Sequence, residues 1–263
     1  MFKIIRASLY KLFKDRPFRI TLIIGVALAV VFSLAYHFIL PEMGSGYYML
    51  ISSSSPSNNF GLAVPINLIT FIIGEYNYGT IRNKMIAGNK RINIYIALFV
   101  MGLIYSLSMM TIYIGMSVGL STLLNKGFYL EGVTPVGAKT ILTIIGATIM
   151  VYVTLTALSV LAASAIRNIG GAITVTVILI MVGYLVGMVV GLDTSLSFDE
   201  TIKYPVAVQI LDPIFLHSVM SMSTLIGGGD INELLPFTLL SNGIYTTIFL
   251  AGGIALFRYR DVK

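Results

Sequence analysis

The chain has no cysteine, no tryptophan and only two histidines. Without cysteine it forms no disulfides and no thiolate metal sites. The two histidines, His37 and His217, lack a third nearby ligand, and two imidazoles alone make a poor zinc site. We therefore predict no metal site.

Charge is the next scarcity. Only 11% of the 263 residues are charged, whereas 57% are apolar, and an average soluble domain has about 25% charged residues. Such a chain cannot cover a water-facing surface, but several of its windows reach the roughly 20 apolar residues that one helical crossing requires. We predict an all-α, polytopic membrane protein, a single domain over 1–263. Its six predicted transmembrane spans are 20–40, 58–75, 92–124, 141–166, 169–192 and 236–257.

The second span is the least regular of the six. Its apolar run contains Pro65 and Asn67, so we expect either a kinked helix that borrows the polar residues before it or a segment lying partly within protein. A re-entrant segment at this place would break the six-span topology.

The distribution of charge fixes the orientation. Six spans put both termini on one side, where 14 of the 17 Lys and Arg fall, and leave Lys126, Lys139 and Lys203 opposite. With three acids inside and eight outside, the net charge is +11 inside and −5 outside, which together give the chain's +6. The positive-inside rule then predicts a multi-pass membrane protein with both termini cytoplasmic. This asymmetry explains the basic pI without nucleic-acid binding. The abundance of Ile, Lys and Asn favours a bacterial source, so we expect the chain in the bacterial cell membrane.

The segment before the first span has an amphipathic pattern. Residues 1–19 place apolar side chains at helical spacing among lysines and arginines, which indicates an interfacial amphipathic helix that Pro17 ends. The alternative is a basic tail that only sets orientation.

Two segments are predicted to lie outside the cell. Residues 41–60, with Gly44, Gly46 and a run of four serines, predict an external loop. Residues 193–235, acidic but partly apolar, predict an external helical segment between spans 5 and 6.

The sequence shows no motif for nucleotide hydrolysis or for ion-coupled transport. Gly227-Gly228-Gly229 is followed by Asp230 where a P-loop requires lysine and Ser or Thr. The spans also lack the ionisable residues that ion-coupled transporters place in hydrocarbon. We predict no enzyme activity, no catalytic residues and no bound cofactor. If the protein drives transport, the energy for it must come from a partner.

The stretch from Gly74 to Arg91 is the longest predicted cytoplasmic connection between spans. Its sequence indicates the end of a helix, a glycine bend and a short new helix with Thr80 as its N-cap, closed by Gly88-Asn89. An element lying across the membrane surface is shaped to receive force from a partner. The alternative is an ordinary positive-inside loop.

The same stretch resembles the pattern E-x-x-x-G-T-x-[RK]-x-x-x-x-x-[GP]-x-x-R of permease subunits of ABC-2 type transporters. The layout is also similar to that family, because both have a basic N-terminal helix, six spans and a coupling helix between spans 2 and 3. Gly88 stands where many relatives have proline. The residues of the coupling region, 76–91 with the glutamate before it, that match or flank the pattern are Glu75, Gly79, Thr80, Arg82, Asn83, Lys84, Gly88 and Arg91.

The resemblance implies an ATP-driven exporter. Two permease copies, identical or different, would pair with two ABC ATPase subunits that bind the ATP, and the Thr80–Ala87 helix would transmit their closure. Glu75 would pair with Arg82, with Arg91 or with a base of the N-terminal helix, while Arg82 and Lys84 would meet the ATPase. The length of the chain, without large extra domains, is similar to the subgroup for antimicrobial-peptide export and lantibiotic- or bacitracin-type self-protection. This resemblance implies a peptide or hydrophobic substrate.

Two readings of other classes stay open at this point. One is a non-transporting scaffold or sensor subunit whose loop docks a cytoplasmic partner. The other is an intramembrane enzyme built on His37 and His217.

Overall fold

A computed structural model describes residues 2–40, 45–54, 62–125, 127, 138–166, 168–196 and 231–259. All regular secondary structure in these ranges is helical. The helices are α1 (Phe2–Lys14), α2 (Arg16–Ile39), α3 (Gly46–Ser54), α4 (Ala63–Asn77), α5 (Thr80–Ile86), α6 (Arg91–Leu124), α7 (Ala138–Ala165), α8 (Ile169–Leu196) and α9 (Ile231–Tyr259).

Four of the described helices are long and apolar enough to cross a membrane. They are α2, α6, α7 over Ile141–Ala165 and α9 over Leu239–Tyr259. A shorter apolar stretch, Ile169–Val182, lies in α8. The protein is therefore an all-helical membrane protein in the part that the structure describes.

The predicted boundaries agree closely with the helices in most places. α6 begins one residue before the span predicted at 92–124, and α2 begins four residues before the span predicted at 20–40, with Pro17 in its first turn. Proline is tolerated there because the first N–H groups of a helix have no partner within it. α8 and α9 each extend into the segment predicted at 193–235, whose residues 197–230 lie outside the described part of the chain.

α4 corresponds to the predicted second span but is short. Its 15 residues cover about 22 Å, less than the roughly 30 Å of a hydrocarbon core. Pro65 lies in its first turn, so the proline does not kink the helix, and Asn67 donates to the Ala63 carbonyl at 2.8 Å. Most of its side chains are buried against other helices. α4 is thus an inner helix, which agrees with the prediction that this segment lies partly within protein.

The prediction of an external loop at 41–60 is wrong for its middle, since residues 46–54 form helix α3. Ser53 and Ser54 donate their hydroxyls to the carbonyls of Met49 and Leu50, at 2.5 and 2.6 Å. These bonds satisfy the polar side chains, so a serine run that indicates a turn in water becomes compatible with a buried helix. Tyr47, Leu50 and Ile51 of this helix join Ile144 and Ala147 of α7 in one apolar cluster.

The direction of the long helices follows from their contacts. α2 and α6 run parallel, because the rings of Phe18 and Tyr105 are in tilted contact, with centroids 5.5 Å apart, and, further along both helices, His37 hydrogen-bonds Asn125 at 2.8 Å. α7 runs against α6. Ser106 bonds Thr156 at 2.7 Å, while Ile114 and Val118 of α6 pack near Ile144 and Ile141.

α9 runs parallel to α7. Thr154 hydrogen-bonds Asn242 and Thr246, at 3.0 Å each, and further along, Ala165 borders the same cavity as Leu256 and Tyr259. The N-terminus of α6 and the C-terminus of α9 consequently meet, where Arg91 donates to the Arg258 carbonyl at 3.0 Å.

We predict that Gly253→Ala destabilises the bundle, because the added Cβ would overlap the hydroxyl and ring of the buried Tyr95. Overpacking of this kind costs about 1–3 kcal/mol. Gly252→Ala is the matched control, since its Cβ would meet nothing within 4 Å. Thermal unfolding in detergent should show a lower Tm for Gly253→Ala alone, and equal Tm values would contradict this packing.

Candidate functional site

The turn between α4 and α5 depends on a glycine. Tyr78 and Gly79 continue to donate backbone hydrogen bonds, to the Gly74 and Tyr76 carbonyls at 2.9 and 3.0 Å. Gly79 then has φ +67°, the left-handed conformation that glycine adopts without steric cost. α5 starts directly afterwards, so Thr80 is its first residue and Gly79 holds the N-cap position. The prediction of Thr80 as N-cap is therefore wrong, and no side chain caps this helix.

The other end of α5 is closed by a second glycine, as predicted. Gly88 has φ +82°. Its N–H bonds the Met85 carbonyl at 2.9 Å, and the Asn89 N–H reaches the Lys84 carbonyl at 3.4 Å. These two bonds make a Schellman motif, and the Asn89 side-chain amide adds a third bond to the Lys84 carbonyl at 2.8 Å. α5 is thus a seven-residue rod with both ends fixed by backbone geometry.

A buried carboxylate joins this rod to two other helices. Glu75, in the last turns of α4, is only 1% exposed. One of its oxygens accepts from Lys11 Nζ of α1 at 2.5 Å, and the other accepts from Lys84 Nζ of α5 at 2.7 Å. Lys84 Nζ also donates to Ser8 Oγ of α1 at 3.0 Å. We call Glu75, Lys11, Lys84 and Ser8 the ion-pair cluster.

Electrostatics explain why both lysines are required. A buried carboxylate loses its hydration, and this one also sits near the negative end of the α4 dipole. Each oxygen is therefore matched with an ammonium group. Lys84 is 13% exposed and Lys11 is 47% exposed, so water screens the Lys11 pair more strongly and Lys84 is the stronger partner of Glu75.

The structure selects among the predicted partners of Glu75. The pairing with a base of the N-terminal helix is confirmed, with Lys11 as that base. Arg82 and Arg91 are not its partners, because Arg82 is exposed and Arg91 joins α6 to α9. Lys84, which the resemblance implies would meet the ATPase, has its ammonium turned inward to Glu75 and Ser8, and its contact with a partner stays a prediction.

α5 has two different faces. Ile81 is fully buried, and Met85 packs against the same core. Arg82 and Asn83 are exposed on the opposite side, together with Ile86 at 74%. Arg82 makes no hydrogen bond or ion pair with any other residue that the structure describes. The exposed side, together with the neighbouring Tyr78 at 80% exposure, is called the outer face below.

The histidines do not form a site in the described residues. His37 bonds Asn125, as noted above, and His217 lies outside the described part of the chain. In that part, no three His, Cys, Asp or Glu side chains come close enough to hold a metal ion.

Sequence reasoning did not single out Ser8 and Lys11. Ser8, Lys11 and Leu12 are three and four residues apart, the spacing that brings side chains to one side of a helix, and Ser8 and Leu12 are indeed buried. That spacing was the available signal. It could not identify which of the basic residues of α1 meets Glu75.

The fold and the site define a helical membrane protein with a short surface rod tied to its N-terminal helix through a buried glutamate. No protein-family model matches the chain, and no curated protein does.

We predict that Lys84→Met destabilises α5 strongly. Removing one partner of a buried ion pair typically costs about 3–5 kcal/mol, and only the screened Lys11 would remain to face Glu75. Hydrogen exchange at the backbone amides of α5 should accelerate, and Tm should fall. Arg82→Met is the matched control, with an expected change within about 0.5 kcal/mol. Equal effects of the two variants would show that the cluster does not fix α5.

We also predict that Gly79→Val costs about 1–2 kcal/mol, because a β-branched residue is strained at φ +67°. Gly79→Asn should cost less, since asparagine tolerates the left-handed region. Thermal unfolding of the two variants measures the difference. A valine variant as stable as the asparagine variant would contradict the left-handed turn.

Proposed function

We propose that this chain is the membrane-spanning permease subunit of an ATP-driven ABC exporter of the ABC-2 type. In this proposal the chain crosses the bacterial cell membrane six times and keeps both termini in the cytoplasm. α1 lies along the inner leaflet, α5 is the coupling helix between spans 2 and 3, and the segment 193–235 is external.

The directions of the helices support six crossings. α2 and α6 run one way, and α7 and α9 run the other way, which is the alternation that spans 1, 3, 4 and 6 require. α4 fits as span 2, running against α6. Tyr76 near its end lies beside Phe257 at the end of α9, and Leu68, two turns earlier in α4, lies beside Gly102, three turns into α6. α8 fits as span 5, because Ile169 at its start borders the same cavity as Gly74 of α4.

The site supports a mechanical role for α5, and the ion-pair cluster is the observation that carries the proposal. The inner side of the rod is tied to α4 and α1, whereas its outer face offers Arg82, Asn83 and Ile86 to a partner. A push on the outer face would reach both helices through Glu75. A rigid element of this kind passes on nucleotide-driven closure of an ATPase to the spans.

ATP binding and hydrolysis belong to the partner in this proposal. The sequence carries no P-loop pattern, so the chain itself is not expected to be an enzyme or to hold a cofactor. A second permease copy, identical or different, completes the transport path. The substrate class is a peptide or a hydrophobic or amphipathic compound, as the resemblance to self-protection exporters implies.

The test is co-purification with the products of neighbouring reading frames. We expect the chain to retain a P-loop ATPase and the complex to hydrolyse ATP with vanadate sensitivity. Arg82→Glu should reduce both by about tenfold or more, because a reversed charge at an interface costs several kcal/mol. Arg16→Glu makes the same charge change at the same end of the bundle but outside α5, and should have little effect.

Two results would contradict the proposal. Capture of a signalling protein instead of an ATPase would favour the scaffold or sensor function. Full ATPase capture and activity in Arg82→Glu would remove the outer face of α5 from the coupling role.

A further inference from the structure

A cavity of about 300 Å³ opens beside the ion-pair cluster. It lies where the end of α1, the turn into α2, the last turns of α4 and the start of α8 come together. This volume is at the lower end of the roughly 300–1,000 Å³ of small-ligand pockets. Its lining residues are Lys11, Asp15, Pro17, Thr70, Phe71, Gly74, Asn77, Tyr78 and Ile169.

Asp15 brings a negative charge to this cavity without a visible structural purpose. It occupies the N-cap position of α2, where an aspartate normally accepts a hydrogen bond from a backbone N–H of the first turn. Its side chain makes no such bond. It is half-buried, and no lysine or arginine that the structure describes pairs with it. A carboxylate placed in this way is suited to receive a cation from outside the chain.

Lys11 brings the opposite charge to the same cavity. An ammonium group has three N–H donors, and Glu75 takes one of them. The side chain is 47% exposed, and its ammonium lies 5.9 and 5.7 Å from the ring centroids of Phe71 and Tyr78. The remaining donors can therefore bind an anion that enters the cavity. The amide of Asn77 adds a further polar group beside it.

The floor of the cavity is apolar. Phe71 belongs to the main apolar core and Ile169 packs against it, whereas Lys11, Asp15 and Asn77 lie at helix ends. A ligand that matches the lining has a phosphate and an ammonium group close together at one end and is apolar at the other. We propose that the cavity binds the headgroup of an amino-phospholipid such as phosphatidylethanolamine, with the phosphodiester at Lys11 and the ammonium at Asp15.

A specific site and the basic charge of the membrane-facing surface would favour different lipids. Clustered lysines and arginines attract anionic lipids without a specific site. Phosphatidylglycerol, however, has hydroxyls where phosphatidylethanolamine has an ammonium, so it would leave Asp15 without a counter-charge. Phosphatidylcholine has a cation but no N–H donor for the carboxylate. The cavity should therefore prefer phosphatidylethanolamine, whereas nonspecific attraction to basic residues should prefer phosphatidylglycerol.

The experiment uses the full chain in detergent with equal amounts of the three dioleoyl lipids, and native mass spectrometry counts the retained lipid. We expect one retained phosphatidylethanolamine per chain, preferred over phosphatidylglycerol by about tenfold, which corresponds to one hydrogen bond between charged groups. Free phosphoethanolamine at the same concentration should not displace it, because the acyl chains stay in the apolar phase.

Three variants test the residues. Asp15→Asn keeps a good N-cap residue but removes the charge, and should abolish the preference. Gly74→Leu should fill the cavity and reduce binding of all three lipids, since a Cβ at Gly74 meets only Tyr78, at an ordinary 3.8 Å. Arg16→Gln, which removes an exposed charge next to the cavity, should leave the preference unchanged. Tm of each variant confirms folding.

Three results would overturn the proposal. Preferred binding of phosphatidylglycerol would indicate the general basic field only. Equal lipid retention in the wild type, Asp15→Asn and Gly74→Leu would exclude the cavity. Displacement by free phosphoethanolamine would assign the site to a soluble phosphoamine rather than to a lipid.

Discussion

A carboxylate removed from water at the end of an inner helix is the constraint on which this structure depends. Glu75 is stable there only because ammonium groups from α1 and α5 reach its two oxygens. Lys11 precedes Glu75 by 64 positions in the sequence, whereas Lys84 follows it by only nine. One buried charge thereby joins the N-terminal helix α1, the inner helix α4 and the short helix α5. Such a pair is not needed for stability alone, because apolar residues of similar volume often serve as well.

In the proposed function, α1, α4 and α5 move together when a partner pushes on α5. The two left-handed glycines set the length of α5, and the ion-pair cluster sets its position. On the outer face, Arg82 and Asn83 are exposed and directed away from the core. The amino-phospholipid proposed beside Lys11 would bring the bilayer into the same unit, so that lipid composition would affect the position of α1 and α5.

The sequence predicted what local chemistry determines and missed what tertiary packing determines. The rod between Gly79 and Gly88 was predictable because glycine is the residue that tolerates a left-handed backbone. α3 was missed because serines bond their own helix carbonyls once water is excluded. The partner of Glu75 could not be read from the sequence either: burial of Ile81 turns Lys84, three residues later, toward the core and leaves Arg82 outside.

The central claim is that α5 lies at the cytoplasmic boundary with its inner side fixed and its outer face open to a partner. Single-cysteine labelling tests it directly, because the chain has no cysteine of its own. In membrane vesicles treated with an impermeant maleimide, Arg82→Cys should be labelled only when the cytoplasmic side faces outward. Ile81→Cys should stay unlabelled in both orientations. Labelling of Arg82→Cys from the external side would contradict the account.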